Sequence, residues 1–386
     1  MNEKEDITMD NVQALPLDGI RVLDLSTLLP RPLATLMLAE AGADVVKLER
    51  PGGDEMRSYV PKFGEASANY AVLNRGKRAY AADFKDPDQF ESVLKLASET
   101  DVVLEQFRPG VMDRLGLGYE KIRSINPRVV YCSITGYGPS GINACRAGHD
   151  LNYLAETGLL SVVVDSDGKP PIPLAPMADI AGETYPALVN ILLALRLRDR
   201  TGHGAHLHIS MTHNLHTLMY GYFATHQASG RWPRPGVELL TGGSPRYPVY
   251  ETADGRHVAC AALEQKFWER LVDLVELDAQ FHDDAGQEEA VIAALAERFA
   301  AEPAKHWQTV LTGEDVCAVI VATWDEGVNN GLVNVQAPER VSAPDGSSFS
   351  TLPSSIDPAL REVGTTRPYP CLASVPTDGW PSQHEY

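Results

Sequence analysis

Four residues in three separate strings offer the clearest chemistry in this chain: His149 and Asp150 in AGHDLNYLAETG, Asp179 in PMADIAG, and Glu264 in ALEQKFWERL. An imidazole and a carboxylate on opposite faces of one carbon could take a proton from one side and return it to the other. Each residue also has a structural role open to it. Asp150 and Asp179 stand where a helix N-cap would accept backbone N–H groups, and Glu264 stands at a helix start. Helix N-termini also stabilise anions and developing enolates, so both readings remain open on these residues alone.

Two basic strings interrupt an otherwise acidic sequence: Asn74-Arg75-Gly76-Lys77-Arg78 and Phe107-Arg108-Pro109-Gly110. Arg and Lys beyond strand ends suit phosphate groups, and a solvated charged loop is the plainer alternative. Gly136-Tyr137-Gly138 closes a strand, where turn glycines are common. His206 and His208 alternate along a strand, with His203, His213 and His216 nearby. No carboxylate or cysteine in that stretch completes a ligand set, so no metal site is expected. The five cysteines show no CxxC pairing, which argues against a disulfide framework or cysteine zinc site and fits a reducing cytoplasm.

Holding these residues in place falls to a chain of 386 residues, 44% hydrophobic and 22% charged, which is ordinary for a soluble globular protein. The net charge of -19 opposes general nucleic-acid binding while leaving room for one small anion in a local basic pocket. The longest apolar run, around 187–195, is too short to span a bilayer, so no membrane association is expected. Residues 1–14 are acidic and polar, read as a disordered tail without a signal-peptide pattern.

Apolar strands over 17–24 and 43–48 flank a helix over 32–42, a βαβ unit that calls for a parallel sheet. Helices over 90–100 and 112–115 and strands over 101–105 and 129–135 continue the pattern. The first strand lacks a following GxGxxG; LSTLLPRP stands there instead, against an NAD enzyme. A long apolar helix covers 183–198. The stretch 229–243 is rich in Gly and Pro and reads as a linker or mobile loop. Asp254-Gly255 between 247–252 and 257–262 marks a hairpin, followed by helices over 265–275 and 288–300. The organisation expected is a large domain over 15–225, a small α+β domain over 226–335 and an extended C-terminal segment over 336–386 that returns to the large domain.

Taken in order, LDGIRVLDLS, LAEAGADVVKLERPGGD, LNRGKRAYAADFKD, EQFRPGVMDRLGLGYE, ITGYGPSG, GHDLNYLAETG, LALRLRDRTGHGAHLHISM and YPVYETADGRHVACAALEQKFW resemble the family III CoA-transferases (CaiB/BaiF), a group that includes the α-methylacyl-CoA racemases. The GHD-NY string and the ALEQKF string look racemase-like. This resemblance implies a Rossmann-like large domain and a smaller α+β domain, in two subunits interlocked like chain links as a homodimer, with Glu264 supplied across the subunit boundary.

The resemblance also implies roles. Asp179 is the shared catalytic carboxylate, His149 the second acid–base group oriented by Glu264, and Asp150 a support for His149 or the thioester. Arg50, Asn74, Arg75, Lys77, Arg78 and Arg108 become candidates for the CoA phosphates and adenine, and Gly136, Tyr137 and Gly138 for the pantetheine path. No cofactor is implied beyond the CoA thioester that serves as substrate. The expected activity is interconversion of (R)- and (S)-2-methylacyl-CoA through an enolate, stabilised by backbone donors near Asp179. The alternatives are CoA transfer to a carboxylic acid through an aspartyl-CoA intermediate on Asp179, and acyl-CoA binding without turnover. Two departures stand out: Pro30-Arg31-Pro32 where the family reads P-G-P, and a C-terminal tail without the family's closing string.

Overall fold

A computed structural model describes residues 14–29, 31–165, 167–333 and 338–382. The expected N-terminal tail therefore lies almost wholly outside the described residues. The chain divides into two units. Described residues within Met1–Tyr153, Pro176–Leu215 and Val335–Tyr386 form the first, and those within Leu154–Ala175 and His216–Asn334 form the second.

The first unit is built on a seven-stranded parallel sheet of β1 (Arg21–Leu25), β2 (Asp44–Glu49), β3 (Arg78–Ala81), β4 (Val102–Glu105), β5 (Val130–Thr135), β6 (Ala205–Ser210) and β7 (Leu372–Ser374). Their order across the sheet is β7-β3-β2-β1-β4-β5-β6, every pairing parallel. The central strands β4 and β5 are largely apolar because both of their faces are covered. Alternation decides which side chain goes where: Val22, Leu104 and Val130 pack on one face with α1 (Arg31–Glu40), while Leu23, Val103 and Tyr131 pack on the other with the helix Pro87–Glu99. Strand order reverses between β1 and β4, and ligands of open α/β sheets lie beyond the carboxyl ends of strands at such a point.

Two sequence readings are corrected here. The basic string 74–78 does not form a loop throughout: Asn74 ends the helix Ala68–Asn74 and Arg78 opens β3. The long helical stretch is also longer than its apolar run suggests. Met177–Thr201 is 25 residues, long and apolar enough by composition alone to cross a membrane. It contains a helix, α3 (Tyr185–Thr201), whose Ala187 and Ile191 are fully buried against the sheet. The C-terminal stretch supplies β7, which pairs with β3 at the sheet edge.

The second unit carries a three-stranded antiparallel sheet, with His257–Cys260 between Val249–Glu251 and Ala318–Ile320. Gly255 turns the hairpin at φ +73°, a left-handed conformation that glycine adopts without steric cost. Trp268, Phe299 and Trp307, each fully buried, fill the core of this unit between sheet and helices.

Candidate functional site

Asp179 ends a short turn, Met177–Asp179, and a π-helical turn, Ile180–Thr184, separates it from α3. Such π-turns inside helical runs recur at functional sites. Here the turn is packed tightly: a Cβ on Gly182 would come within 2.9 Å of the Met211 carbonyl oxygen, and Asn214 Nδ2 donates to the Gly182 carbonyl at 2.8 Å. The Asp179 carboxylate caps nothing. Burial, then the neighbouring Asp150 charge, push its pKa up to about 6, while Arg31 and His149 pull against them. Asp150 itself reaches across from a separate helix start, where its Oδ1 accepts the Asp179 backbone N–H at 3.0 Å. That N–H is thereby committed and is not one of the enolate donors expected near Asp179.

His149 immediately precedes the helix α2 (Asp150–Glu156). Its backbone N–H donates to Asn152 Oδ1 at 3.0 Å, and its imidazole is exposed. The wall beside it is aromatic. Tyr153 Oη donates to the Gly148 carbonyl at 2.7 Å, and the rings of Tyr137 and Tyr153 meet edge to face at 5.3 Å. Glycine is required on both sides of Tyr153, because a Cβ on Gly136 would sit 2.6 Å from that ring and one on Gly148 2.7 Å. The Gly136 carbonyl is held by the Thr212 N–H at 3.0 Å and its hydroxyl at 2.9 Å. Gly138, at φ +89°, donates its N–H to Thr135 Oγ1 at 3.0 Å. Gly136, Tyr137 and Gly138 therefore form a fixed turn at the carboxyl end of β5.

Between these groups lies a residue pair that was only half visible in the sequence. Arg31, the first residue of α1, places Nε 3.1 Å from Oε1 of the fully buried Glu183. The two atoms are not aligned for a hydrogen bond, and both Glu183 oxygens lack one. Burial raises the Glu183 pKa to about 8, against the pull of Arg31. Glu183 was read only as the start of the long helix. Its place four positions after Asp179 was the available signal, since that spacing puts two residues on one helix face.

The basic string is largely scaffold, which corrects the expectation that its side chains meet CoA. Lys77 is fully buried and donates to Thr35 Oγ1 at 2.8 Å, the Pro32 carbonyl at 2.9 Å, Asn74 Oδ1 at 3.0 Å and Asp24 Oδ2 at 3.3 Å. Burial lowers its pKa to about 7, with Asp24 opposing. Asn74 Nδ2 donates to the Tyr70 carbonyl, Arg75 pairs with Glu40, and Arg78 grips both oxygens of Asp44 at 2.6 Å. Arg50 and Arg108 remain exposed. Arg50 lines a cleft of ≈ 420 Å³ beyond the ends of β1, β2 and β3, with Thr27, Phe84, Lys85 and Phe107. Arg108 lines a second cavity beyond β4 and β5, with Arg31, Arg146, Gly136, His149 and Tyr153.

The structure thus brings His149, Asp150 and Asp179 into one cluster of the first unit. Glu264 belongs to the second unit, where it is exposed and stands at the N-terminus of a helix, α4 (Gln265–Leu274), with no side-chain capping bond. His206 Nε2 lies 3.0 Å from Ser133 Oγ, and its ring is 4.0 Å from that of His208. No group of three or more side chains able to hold a metal occurs among the described residues.

Comparison with known proteins agrees with this architecture. The model of CoA-transferase family III matches residues 17–359. The human α-methylacyl-CoA racemase is 36% identical over 322 residues, covering 82% of this chain and 80% of its own. The human succinyl-CoA:glutarate CoA-transferase is 33% identical over 321 residues, covering 80% and 72%. The crystal structure of a CaiB/BaiF family protein from Brucella suis superposes with a TM-score of 0.77 at 28% identity, covering 92% of this chain and 96% of that one. With the matched model spanning most of its length, the chain belongs to CoA-transferase family III.

Proposed function

We propose that the protein interconverts (R)- and (S)-2-methylacyl-CoA thioesters by 1,1-proton transfer. The observation that carries this reading is the pairing of an uncapped carboxylate, Asp179, whose pKa is raised to about 6, with an exposed imidazole, His149, close enough to act on its charge. The thioester acidifies the α-hydrogen. One of the two groups removes it and the other returns a proton to the opposite face, the roles reversing with the enantiomer. A carboxyl poised near neutrality suits both directions, since neither protonation state is out of reach. Asp150 supports the arrangement by holding the Asp179 backbone. Glu264 orients His149 from the partner subunit of a homodimer. Support for the dimer comes from α3, which exposes Val189, Leu193 and Leu197 in a row at helical spacing. The order β3-β2-β1-β4-β5-β6 supports a Rossmann-like large domain, and Arg50 and Arg108 are the cations best placed for CoA.

Incubation with (S)-2-methyldecanoyl-CoA in deuterium oxide tests the reading. Deuterium entering the α-position together with loss of optical activity is the expected result; retention of both the α-hydrogen and the optical activity by a series of 2-methylacyl-CoA thioesters overturns it.

A second reading is CoA transfer through Asp179, favoured by the similarity to CoA-transferases at 33% identity and by a carboxylate largely ionised above pH 6. Asp179 would attack the thioester carbonyl and expel CoA thiolate, leaving a mixed anhydride. The thiolate then attacks the aspartyl carbonyl, releasing the donor acid as its carboxylate and leaving aspartyl-CoA, from which an acceptor carboxylate takes CoA by the same two steps in reverse. Hydroxylamine trapping at Asp179, with activity surviving His149→Ala, separates it from the first.

A further inference from the structure

The cavity beyond β4 and β5 is lined by Arg31, Arg108, Arg146 and His149, with no carboxylate among its described lining residues. In a chain of net charge -19 this is a local concentration of positive charge. Arg31 is held in a particular way. Its Nε faces the buried Glu183 at 3.1 Å, while neither Nη atom has a hydrogen-bond partner among the described residues, and the side chain keeps 13% of its surface open. Burying an arginine–glutamate pair costs desolvation that the pair itself seldom recovers. A guanidinium with both Nη groups unpartnered offers the planar edge that matches a carboxylate with two parallel N–H donors. Arg31 also acts electrostatically on Asp179, Tyr153 and Glu183.

We propose that Arg31 is a specificity-determining residue whose guanidinium, lying beside Glu183, receives a carboxylate carried on the acyl group, so that the site prefers dicarboxylic acyl-CoA thioesters to neutral ones. The inference rests on the acyl-CoA reading given above, and it holds for either proton transfer or CoA transfer.

The test is calorimetric titration with succinyl-CoA and butanoyl-CoA, which differ by a carboxylate in place of a methyl group and share all phosphates. The wild-type protein should bind succinyl-CoA about 10-fold to 100-fold more tightly, the usual effect of a charge-assisted hydrogen bond. Arg31→Ala should bring the ratio to about 1, and Arg31→Lys should retain part of the preference. Equal binding by the wild-type protein overturns the proposal without any variant being needed. So does an equal loss of both thioesters in Arg31→Ala, which would assign Arg31 to the phosphates of CoA. α-Hydrogen exchange and CoA transfer are followed with the same two thioesters. A preserved binding preference with neither activity would refute the proposed function and leave the role of Arg31 standing.

Discussion

Asp150 Oδ1 accepts the backbone N–H of Asp179 at 3.0 Å, joining two segments far apart in sequence. The bond places one carboxylate against another, and the like charge favours the protonated form of Asp179. Asp150→Asn keeps an oxygen acceptor in the same place but removes the charge. The Asp179 pKa should then fall, and the acid limb of the kcat/KM profile should move from about pH 6 to lower pH. Asp179→Ala, by contrast, should lose about 10²-fold to 10⁴-fold in kcat, the usual contribution of a general acid–base group. Its melting temperature should change little, since the carboxylate makes no capping bond. Rate–pH profiles of both variants beside the wild type decide the point. An unmoved acid limb in Asp150→Asn counts against Asp179 as the titrating group.

Glu183 gives a pH dependence of stability rather than of rate. Its folded-state pKa, about 8, lies above the ordinary 4.5. Below pH 4.5 the group is protonated both folded and unfolded, and its contribution is fully present. Between 4.5 and 8 the unfolded chain releases a proton that the folded chain retains, so stability falls as pH rises. Glu183→Gln cannot titrate. Thermal melts from pH 5 to 9 should therefore show a shallower decline in the variant than in the wild type, and parallel curves would rule this account out.

How far the sequence disclosed the site depended on where partners lie. Strand β1 was legible because burial on both faces calls for apolar side chains at successive positions, as Val22 and Leu23 supply, and the Asp254-Gly255 hairpin because Gly255 needs a left-handed backbone. Asp179 stood out through the string around it. Lys77 and Arg78 were read as phosphate ligands because their partners are distant: Asp24 lies 53 positions from Lys77, and Asp44 lies 34 from Arg78. Charge invites a solvent-facing reading unless the tertiary partner is known. β3 escaped notice for the same reason, being a short strand opened by a charged residue. Arg31 was visible as a departure from P-G-P, but Glu183 acquires meaning only once α1 and the π-turn bring the two side chains together.

The scaffold role of Lys77 has a distinct signature. Lys77→Met removes the cation paired with the fully buried Asp24 and leaves only Lys47 acting on that charge; loss of one partner of a buried ion pair costs about 3–5 kcal/mol. Chemical denaturation should register that loss. The KM for acyl-CoA of whatever remains folded should stay close to the wild-type value. A raised KM with undiminished stability would restore Lys77 to the binding site.

Arg108 should behave in the opposite way. Its side chain is exposed and makes no ion pair among the described residues, so truncation leaves no buried charge behind. Arg108→Ala should therefore melt within about 0.5 kcal/mol of the wild type, as surface substitutions do. If the guanidinium meets a CoA phosphate, its removal takes away a charge-assisted contact worth about 1.5–3 kcal/mol, or roughly 10-fold to 100-fold in KM. Such a contact acts equally in ground state and transition state, so kcat should hold. It is also screened by salt, and the gap between variant and wild type should narrow as ionic strength rises. Steady-state kinetics at low and high salt read all three effects together. A fall in kcat at unchanged KM would move Arg108 from the CoA path to the acyl side of the cavity, beside Arg31 and His149.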